Sequence, residues 1–298
     1  MTGERQPPPL GRLSVFRLLL FAAAGASPLA AQSSAARDRA WLFTYTVTAS
    51  IAGSARDTSG VVLDVAIWHG VARIAVRSGS LRAITGDRGT LLLRSADSTV
   101  AVLNPTKRDA LLGQAQDLSR LLGGGGALGA MQAEVSDAAS ATHARGVGPR
   151  LLGFSTRRVE LVQRYELRIG NATARRSIRT EQVVQLDVSR DVARLDPGFG
   201  VFTEYFARSL GVPGAVRQAL RASEHNLPAG FPLQGVTTTV GVSAADTLHT
   251  EAHSAVTAFR TETVDTNTFR VPGDYRITDM SRLLQSRPRP IPPPARLP

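Results

Sequence analysis

Two histidines and a glutamate stand at alternate positions in the C-terminal part of the chain, in the order His249, Glu251 and His253. Side chains at alternate positions of a β-strand point to the same face of the sheet. Two imidazoles and one carboxylate are a common ligand set for Zn²⁺, so this spacing predicts a candidate zinc site. The alternative is a solvated strand face beside Thr247 and Thr257. The sequence favours that alternative, because no residue that would orient the ligands is evident.

Other motifs of enzyme chemistry are missing or stand in the wrong context. The chain has no cysteine, which excludes disulfides and thiolate chemistry, and it contains no G-x-S-x-G sequence. Gly124, Gly126 and Gly129 match G-x-G-x-x-G, but a dinucleotide site needs a preceding strand where this sequence predicts a helix. We interpret these glycines as a linker, with a lid hinge as the alternative. Glu160 and Glu166 alternate with arginines, which is typical of cross-strand ion pairs. The sequence favours a protein that is not an enzyme and indicates no cofactor.

The clearest structural element is an amphipathic stretch at 158–169. Its apolar residues fall on alternate positions and charged residues fall between them; the apolar ones are Val159, Leu161, Tyr165, Leu167 and Ile169, with Gln163 as the single polar break. A side-chain period of two predicts a strand with one buried and one solvated face. Gly170-Asn171 is a turn signal, and a second alternating run follows over 178–188. The pattern predicts a long antiparallel hairpin.

A second amphipathic strand is predicted at 41–52, where Trp41, Phe43 and Tyr45 share one face. Together with Trp68, these aromatic side chains, and Leu161, Tyr165 and Leu167 of the hairpin, are candidates for the wall of a ligand cavity. The alternative is an ordinary core, which the sequence favours because every sheet needs one packed apolar face.

The remaining elements are short. Alternating runs bounded by turn signals predict strands at 61–68, 71–77, 81–84, 90–94, 99–103, 233–242, 248–263 and 268–271. Asn104-Pro105 followed by apolar residues at helical spacing predicts a helix over 105–122, and two short helices are predicted at 201–210 and 213–222. A short strand at 133–137 and a polar loop through Gly146 and Gly148 precede the hairpin. The predicted fold is mainly β, an antiparallel, strongly curved sheet or half-barrel with a few helices packed on its open side.

The ends of the chain differ from its middle. Arginines followed by a short apolar run and small residues over 1–31 predict an export signal, and 32–40 is a linker. Residues 41–285 are predicted to form a single domain, and 286–298 form a Pro- and Arg-rich tail. The apolar run is too short to span a bilayer. The sequence predicts a secreted or periplasmic bacterial protein that is soluble and has no stable membrane span.

The basic charge does not indicate nucleic-acid binding. Formal net charge is +11, but more than half of the excess lies in the two ends, and Lys107 is the only lysine. Aromatic residues make up 5% of the chain. Proteins that bind single strands need aromatic platforms among their basic residues, so nucleic acid is not an expected partner.

Several motifs, taken in order, resemble a known family. They are Leu151–Arg158, Leu91–Leu93 followed by Val102–Pro105, Phe231–Leu233 and Phe269–Tyr275. They are similar to motifs of domain-of-unknown-function family 4412, a group of secreted bacterial proteins, and the likeness covers roughly 43–280. The chain departs from that family at Asp274, where the family tends to have glycine.

The resemblance implies the lipoprotein-carrier fold, an unclosed antiparallel β-barrel with helices over its mouth. It implies that the predicted helix at 105–122 is a plug or lid that presents Leu111, Leu118 and Leu122, and it supplies no catalytic residues. Our first hypothesis is therefore an envelope protein that binds lipid or lipoprotein acyl chains, with arginines near the rim. The alternatives are an envelope scaffold or interaction module with a filled core, and a zinc-dependent hydrolase built on His249, Glu251 and His253.

Overall fold

The computed structural model describes residues 39–52, 59–79, 89–117, 132–170, 175–205, 216, 219–220 and 229–285. Some predicted features lie outside these residues and stay predictions. They are the export signal at 1–31, the strand at 81–84, the glycines at 124, 126 and 129, the two lid leucines at 118 and 122, and the tail at 286–298.

The described residues form twelve strands and four short helices with defined bounds, and residues 115–117, 216 and 219–220 are also helical. The strands are β1 (Arg39–Ile51), β2 (Ser59–Trp68), β3 (Val71–Ser78), β4 (Thr90–Arg94), β5 (Thr99–Asn104), β6 (Asp109–Gln114), β7 (Gln132–Val147), β8 (Arg157–Gly170), β9 (Arg175–Ser189), β10 (Phe231–Val242), β11 (Thr247–Thr263) and β12 (Arg276–Asp279). The helices are α1 (Arg190–Leu195), α2 (Pro197–Tyr205), a 3₁₀ turn (Thr266–Phe269) and α3 (Met280–Gln285). Among the described residues no helix combines the length and apolar composition needed to cross a bilayer.

All twelve strands belong to one sheet, in the order β12-β6-β5-β4-β3-β2-β1-β11-β10-β9-β8-β7. In the described part of the chain the two outermost strands, β12 and β7, do not pair, so the sheet is not closed. Neighbours are antiparallel except β12, which runs parallel to β6. The prediction of a wholly antiparallel sheet is therefore wrong at that edge. The chain crosses back from the end of β11 before it forms β12, and so enters the sheet in the direction of β6.

The hairpin predicted from the alternating pattern is confirmed. β8 and β9 pair in antiparallel register, with Leu161 opposite Val184 and Arg164 opposite Glu181. The strand predicted at 41–52 is confirmed as β1, which lies near the middle of the sheet between β2 and β11. Residues that pair across neighbouring strands share a face. We call the face that presents Phe43 of β1 the inner face, and the opposite one the outer face.

The inner face is covered by helices and holds the main core. Phe43 is 2% exposed, and its ring centroid lies 6.0 Å from that of Phe199, 5.6 Å from Phe202, 5.4 Å from Phe231 and 6.1 Å from Phe259. Phe199 and Phe202 belong to α2, so this helix lies on the inner face of the central strands. Edge-to-face and stacked rings at these separations add to the stabilisation from apolar burial.

Local sequence explains where these helices begin. The Ser189 hydroxyl accepts a hydrogen bond from the Val192 amide and caps α1. Pro197 is the first residue of α2, and the Asp196 carboxylate before it accepts bonds from the amides of Gly198 and Gly70, both at 2.7 Å. The helix predicted at 201–210 therefore begins earlier than its apolar pattern indicates, and Asp196 ties it to the β2–β3 turn.

A separate cluster lies on the outer face of β4, β5 and β6. It consists of Leu92, Ala101, Leu103 and Ala110, with Leu112, Val271 and Tyr275 packed against it. Val271 and Tyr275 belong to the segment between β11 and β12, so this segment covers the outer face at one side of the sheet.

The helix predicted over 105–122 is wrong in its first half. Residues 105–108 form a turn, and Asp109–Gln114 is strand β6, paired with β5. The Asn104 side chain accepts a hydrogen bond from the Lys107 amide at 3.1 Å, and Arg108 has a φ of 49°. Asn followed by Pro suits the start of a β-turn as well as a helix N-terminus, and here the turn is formed because β6 completes a hairpin.

Two smaller predictions are also wrong. The strand predicted at 268–271 is replaced by the 3₁₀ turn, because the Asp265 carboxylate caps it by accepting a bond from the Asn267 amide at 2.9 Å. The loop predicted through Gly146 and Gly148 begins later, since β7 continues to Val147. Pairing with the long strand β8 extends β7 beyond what its small residues indicate.

Candidate binding groove on the outer face

A groove of about 620 Å³ lies on the outer face over β8, β9 and β10. Its floor consists of Val183 on β9 and Thr238, Val240 and Val242 on β10. Side chains of this size on a sheet surface leave apolar area accessible to a ligand. Val242, at the end of β10, is 47% exposed, so the groove is open toward the β10–β11 turn.

The groove follows from a difference in side-chain length between neighbouring strands. From Val236 to Val242 the outer positions of β10 hold only valine and threonine, whereas the register places Glu181 of β9 on one side of Val240 and His249 of β11 on the other. One step along, Val242 lies opposite Arg179. Long side chains on β8 and β9 therefore stand beside a row of short ones on β10, and the groove lies over that row.

The wall on the side of β8 and β9 is an ion-pair ladder. Arg164 donates to Glu181 across the strands, with Nε and Oε2 2.9 Å apart. Glu166 accepts bonds from the Ser177 hydroxyl at 2.6 Å and from Arg168 Nε at 3.0 Å. These two bonds, the Ser177 bond first, lower the pKa of Glu166. Glu166 therefore keeps its charge at neutral pH, and these hydrogen bonds hold the long side chains of the wall in position.

The end of the groove toward β7 is shaped by a bulge. Asp137 lines the groove and has a φ of 52°, where the register of β7 against β8 shifts between Ser136 and Ala139. A bulge inserts an extra residue and turns its neighbours out of the regular ladder. Asp137 is thereby directed to the groove rim.

The candidate zinc residues lie one strand away from this groove. His249, Glu251 and His253 are on β11 and share the outer face, as their alternation predicts, and all three are exposed. His253 Nε2 lies 2.6 Å from Glu251 Oε1, so these two form a hydrogen-bonded pair. In the described part of the chain no group of three or more potential ligands is placed to hold a metal ion. The structure does not assemble the zinc site that the hydrolase hypothesis needs.

The aromatic residues predicted as a cavity wall do not act as one set. Phe43 and Tyr45 are buried on the inner face, where Tyr45 lies 5.5 Å from Phe202, and Trp41 packs 5.4 Å from Phe259. Trp68 follows the inner residue Ile67 and lies on the outer face, 5.4 Å from Phe269. The structure brings the first three together with α2 and separates Trp68 from them.

The predicted residues of the hairpin lie on the inner face, and Tyr165 is among the residues that line the groove. Leu167 is buried against Val216 and Leu220, and Tyr165 packs at the edge of this cluster. Burial raises the pKa of Tyr165, and a hydrogen bond with Thr180 acts in the opposite direction. Leu161 is half-buried opposite Val184 on β9.

Of the three predicted lid residues, only Leu111 lies in the described part of the chain. It is on β6, partly buried against the main core. A strand position within the sheet is not that of a residue on a helical lid.

Sequence reasoning missed the groove because no single stretch contains it. Its floor comes from β10 and its wall from β8 and β9, and their register decides which residues face each other. The only local signal is the run Val236–Val242, in which every outer-facing side chain is short. Such a run forms the floor of a groove only where the neighbouring strands carry longer side chains, and the run itself does not show this.

No protein-family model and no curated protein matches the chain. Among solved structures, PNGF-II matches with a TM-score of 0.31 at 8% identity, covering 81% of this chain and 31% of PNGF-II, so the chain spans about a third of that protein's length. A LolA superfamily protein from Nitrosomonas europaea matches with a TM-score of 0.26 at 8% identity, covering 79% of this chain and 94% of that one. At TM-scores this low, nothing about function follows. The resemblance to family 4412 stays a prediction.

Proposed function

We propose that this protein is a binding protein of the bacterial cell envelope that holds an apolar or lipid-like ligand in the groove along β10. The observation that supports this most directly is the valine floor: Val183, Val240 and Val242 lie together in a groove of about 620 Å³ that opens at one end. Apolar surface in a concave site favours ligands with an apolar body, because their contact removes both surfaces from water.

The location in the envelope is part of the same proposal. It is supported by the export signal predicted at 1–31, and residues 32–298 would then be the mature protein. The sheet with one helix-covered face is consistent with a carrier of small ligands. The site differs from the one first predicted, because the aromatic residues of the inner face fill a core and the groove lies on the opposite face.

The test combines native mass spectrometry with a binding titration. Gently purified protein is expected to retain a lipid-like molecule, and delipidated protein is expected to bind the fluorescent fatty acid cis-parinaric acid. Val242→Phe fills the open end of the groove and is expected to weaken binding by roughly tenfold, the factor that about 1.4 kcal/mol gives. The matched control is Val147→Phe, at a position 91% exposed on the edge strand β7.

Two results would overturn the proposal. One is protein that contains no co-purified ligand and does not bind the probe. The other is binding that Val242→Phe and Val147→Phe leave equally unchanged, since the probe then binds elsewhere on the molecule. Equal urea midpoints of both variants and the parent protein show that the fold is intact.

A second candidate function is a scaffold or interaction module with a filled core. The specific observation is the packing around Phe43, where four other aromatic rings lie within 6.1 Å. Pull-down with the full chain against separated envelope proteins tests it. A defined partner together with no lipid binding would favour the scaffold over the carrier.

A further inference from the structure

The charges around the groove differ in how far they are already neutralised. Glu181 is paired with Arg164 at 2.9 Å. Glu166 is paired with Arg168 at 3.0 Å and also accepts from Ser177. Both wall carboxylates therefore have a partner within hydrogen-bond distance. A cationic ligand would have to displace an arginine from one of them.

Arg179 is the cation of the groove lining whose charge remains available. It is exposed, and in the described part of the chain no carboxylate lies within ion-pair distance of it. Its cross-strand neighbour Glu166 accepts hydrogen bonds from Arg168 and Ser177, and the charge of Arg179 contributes least to the lowered pKa of Glu166. An arginine guanidinium presents parallel N–H donors that match the oxygens of a carboxylate or phosphate.

Arg179 also stands at one end of the apolar floor. It lies opposite Val242, at the open end of the groove near the β10–β11 turn. Val240 and then Val183 follow in the direction away from that turn. A cation at the open end and valines further in form a site with one charged and one apolar end.

Asp137 is the remaining acid of the lining, and it lies on the β7 side. It is close enough to Arg168 for the two charges to interact. Arg168 thus faces both Glu166 and Asp137, and its charge offsets part of theirs. One positive charge against two negative ones leaves the β7 side of the rim acidic, while the Arg179 side presents a cation.

We infer that the groove binds an anionic amphiphile, with its carboxylate or phosphate head on Arg179 and its apolar chain along β10 over Val242, Val240 and Val183. This inference rests on the proposed function and adds the charge of the ligand and its orientation. The chain end points away from the β10–β11 turn, and the head lies at the entrance.

Calorimetric titration with four amphiphiles that share one chain tests the charge. Dodecanoate, dodecyl phosphate, dodecyltrimethylammonium and dodecyl maltoside are each added below the concentration at which they form micelles. The two anionic compounds are expected to bind roughly threefold to tenfold more tightly than the maltoside, and the cationic one most weakly. The ratio between dodecanoate and dodecyl phosphate shows which anion the site prefers.

A pair of variants tests the assignment to Arg179. Arg179→Gln is expected to remove the advantage of the anionic compounds and to leave the maltoside affinity unchanged. The matched control is Arg176→Gln, an equal change of charge at an exposed position three residues earlier on β9, on the inner face. The control is expected to leave all four affinities unchanged.

The outcomes separate this inference from the proposed function. If all four compounds bind equally well and Val242→Phe weakens all of them, the groove is a binding site and the inference about charge is overturned. Tightest binding of the cationic compound, or equal effects of Arg179→Gln and Arg176→Gln, would also overturn it. If none of the compounds binds, the proposed function fails with it.

Discussion

In the described part of the chain, the outer face of the sheet is covered at one side and exposed at the other. Over β4, β5 and β6 it is covered by the segment between β11 and β12, and Leu92 beneath it is 1% exposed. Over β8, β9 and β10 the described residues leave it uncovered, and Val242 is 47% exposed. Both sides belong to one sheet with a common inner face, so the difference lies in what crosses the outer face.

The difference is visible in the sequence of the strands. β4 contains three successive leucines at 91–93, all buried, because the strand packs on both faces. β8 alternates apolar and charged residues, because one face is packed and the other is solvated. Continuous apolar runs are typical of strands buried on both sides. The run at 91–93 is explained by the segment that the structure places over the outer face.

The largest effect is expected in the inner core that both sides share. Phe199→Ala removes a ring that is 0% exposed and contacts Phe43, Phe231 and Phe259. Loss of buried contacts and creation of a cavity are expected to lower the free energy of unfolding by about 3–5 kcal/mol. Urea denaturation measures this. A loss below 1 kcal/mol would mean that α2 does not pack on the sheet as described.

A direct test of the comparison places the same kind of change on each side of the outer face. Leu92→Ala is expected to lower the free energy of unfolding by about 2–4 kcal/mol, because the substitution creates a cavity beneath the segment that covers Leu92. Val240→Ala is expected to cost less than about 1 kcal/mol, since its side chain is only half-buried and water fills the space. Urea unfolding of both variants measures the difference. Equal costs would show that the second side is covered as well.

Two glycines with left-handed backbone conformations test how tightly the turns of the sheet are packed. Gly70 (φ 77°) and Gly153 (φ 85°) both have left-handed conformations. A Cβ at Gly70 would collide with the Ser95 hydroxyl, whereas a Cβ at Gly153 meets nothing within 4 Å. Gly153→Ala is expected to lower the free energy of unfolding by about 1 kcal/mol for the conformation alone, and Gly70→Ala by slightly more, because the Ser95 hydroxyl has to rotate away from the new Cβ. Thermal or urea unfolding measures both, and equal losses would contradict the packing at the β2–β3 turn.

The smallest expected effect is on the pH dependence of stability. Burial raises the pKa of Tyr45, and a hydrogen bond with Ser254 offsets part of that. The folded protein thus keeps a proton that the unfolded chain loses, so stability is retained below pH about 10 and falls as the pH rises further. Tyr45→Phe is expected to make this alkaline fall shallower. Urea midpoints between neutral and alkaline pH test it, and identical slopes for parent and variant would contradict it.

Much of the β-sheet follows from side-chain alternation. β1, β8 and β9 are amphipathic over ten or more residues, and a period of two is incompatible with any other regular structure. The prediction of a helix over 105–122 failed at 105–114 because Asn104-Pro105 begins turns and helices alike, although the seven-residue spacing of Leu111 and Leu118 fits only the helical period. Pairing with β5, a contact within the tertiary structure, decided between them.

The candidate site was less predictable than the fold. The sequence correctly places His249, Glu251 and His253 on one face, yet spacing alone does not fix side-chain rotamers, and Glu251 pairs with His253 instead of joining a metal site. The groove depends on the relative register of three strands, and a shift of one residue would replace valines by inner-face residues. Local patterns do not contain that information.

The position of β1 has a consequence for how the chain is made. Arg39 donates to the Thr261 hydroxyl at 2.7 Å, a contact that joins positions 222 residues apart, and β11 pairs with β1 along most of its length. β1, the first described strand, therefore lacks its partner β11 until nearly all of the polypeptide has been synthesised. Closing such a distant pair is entropically slow. Until that pair closes, the unpaired edge of β1 is accessible to chaperones and to other strands.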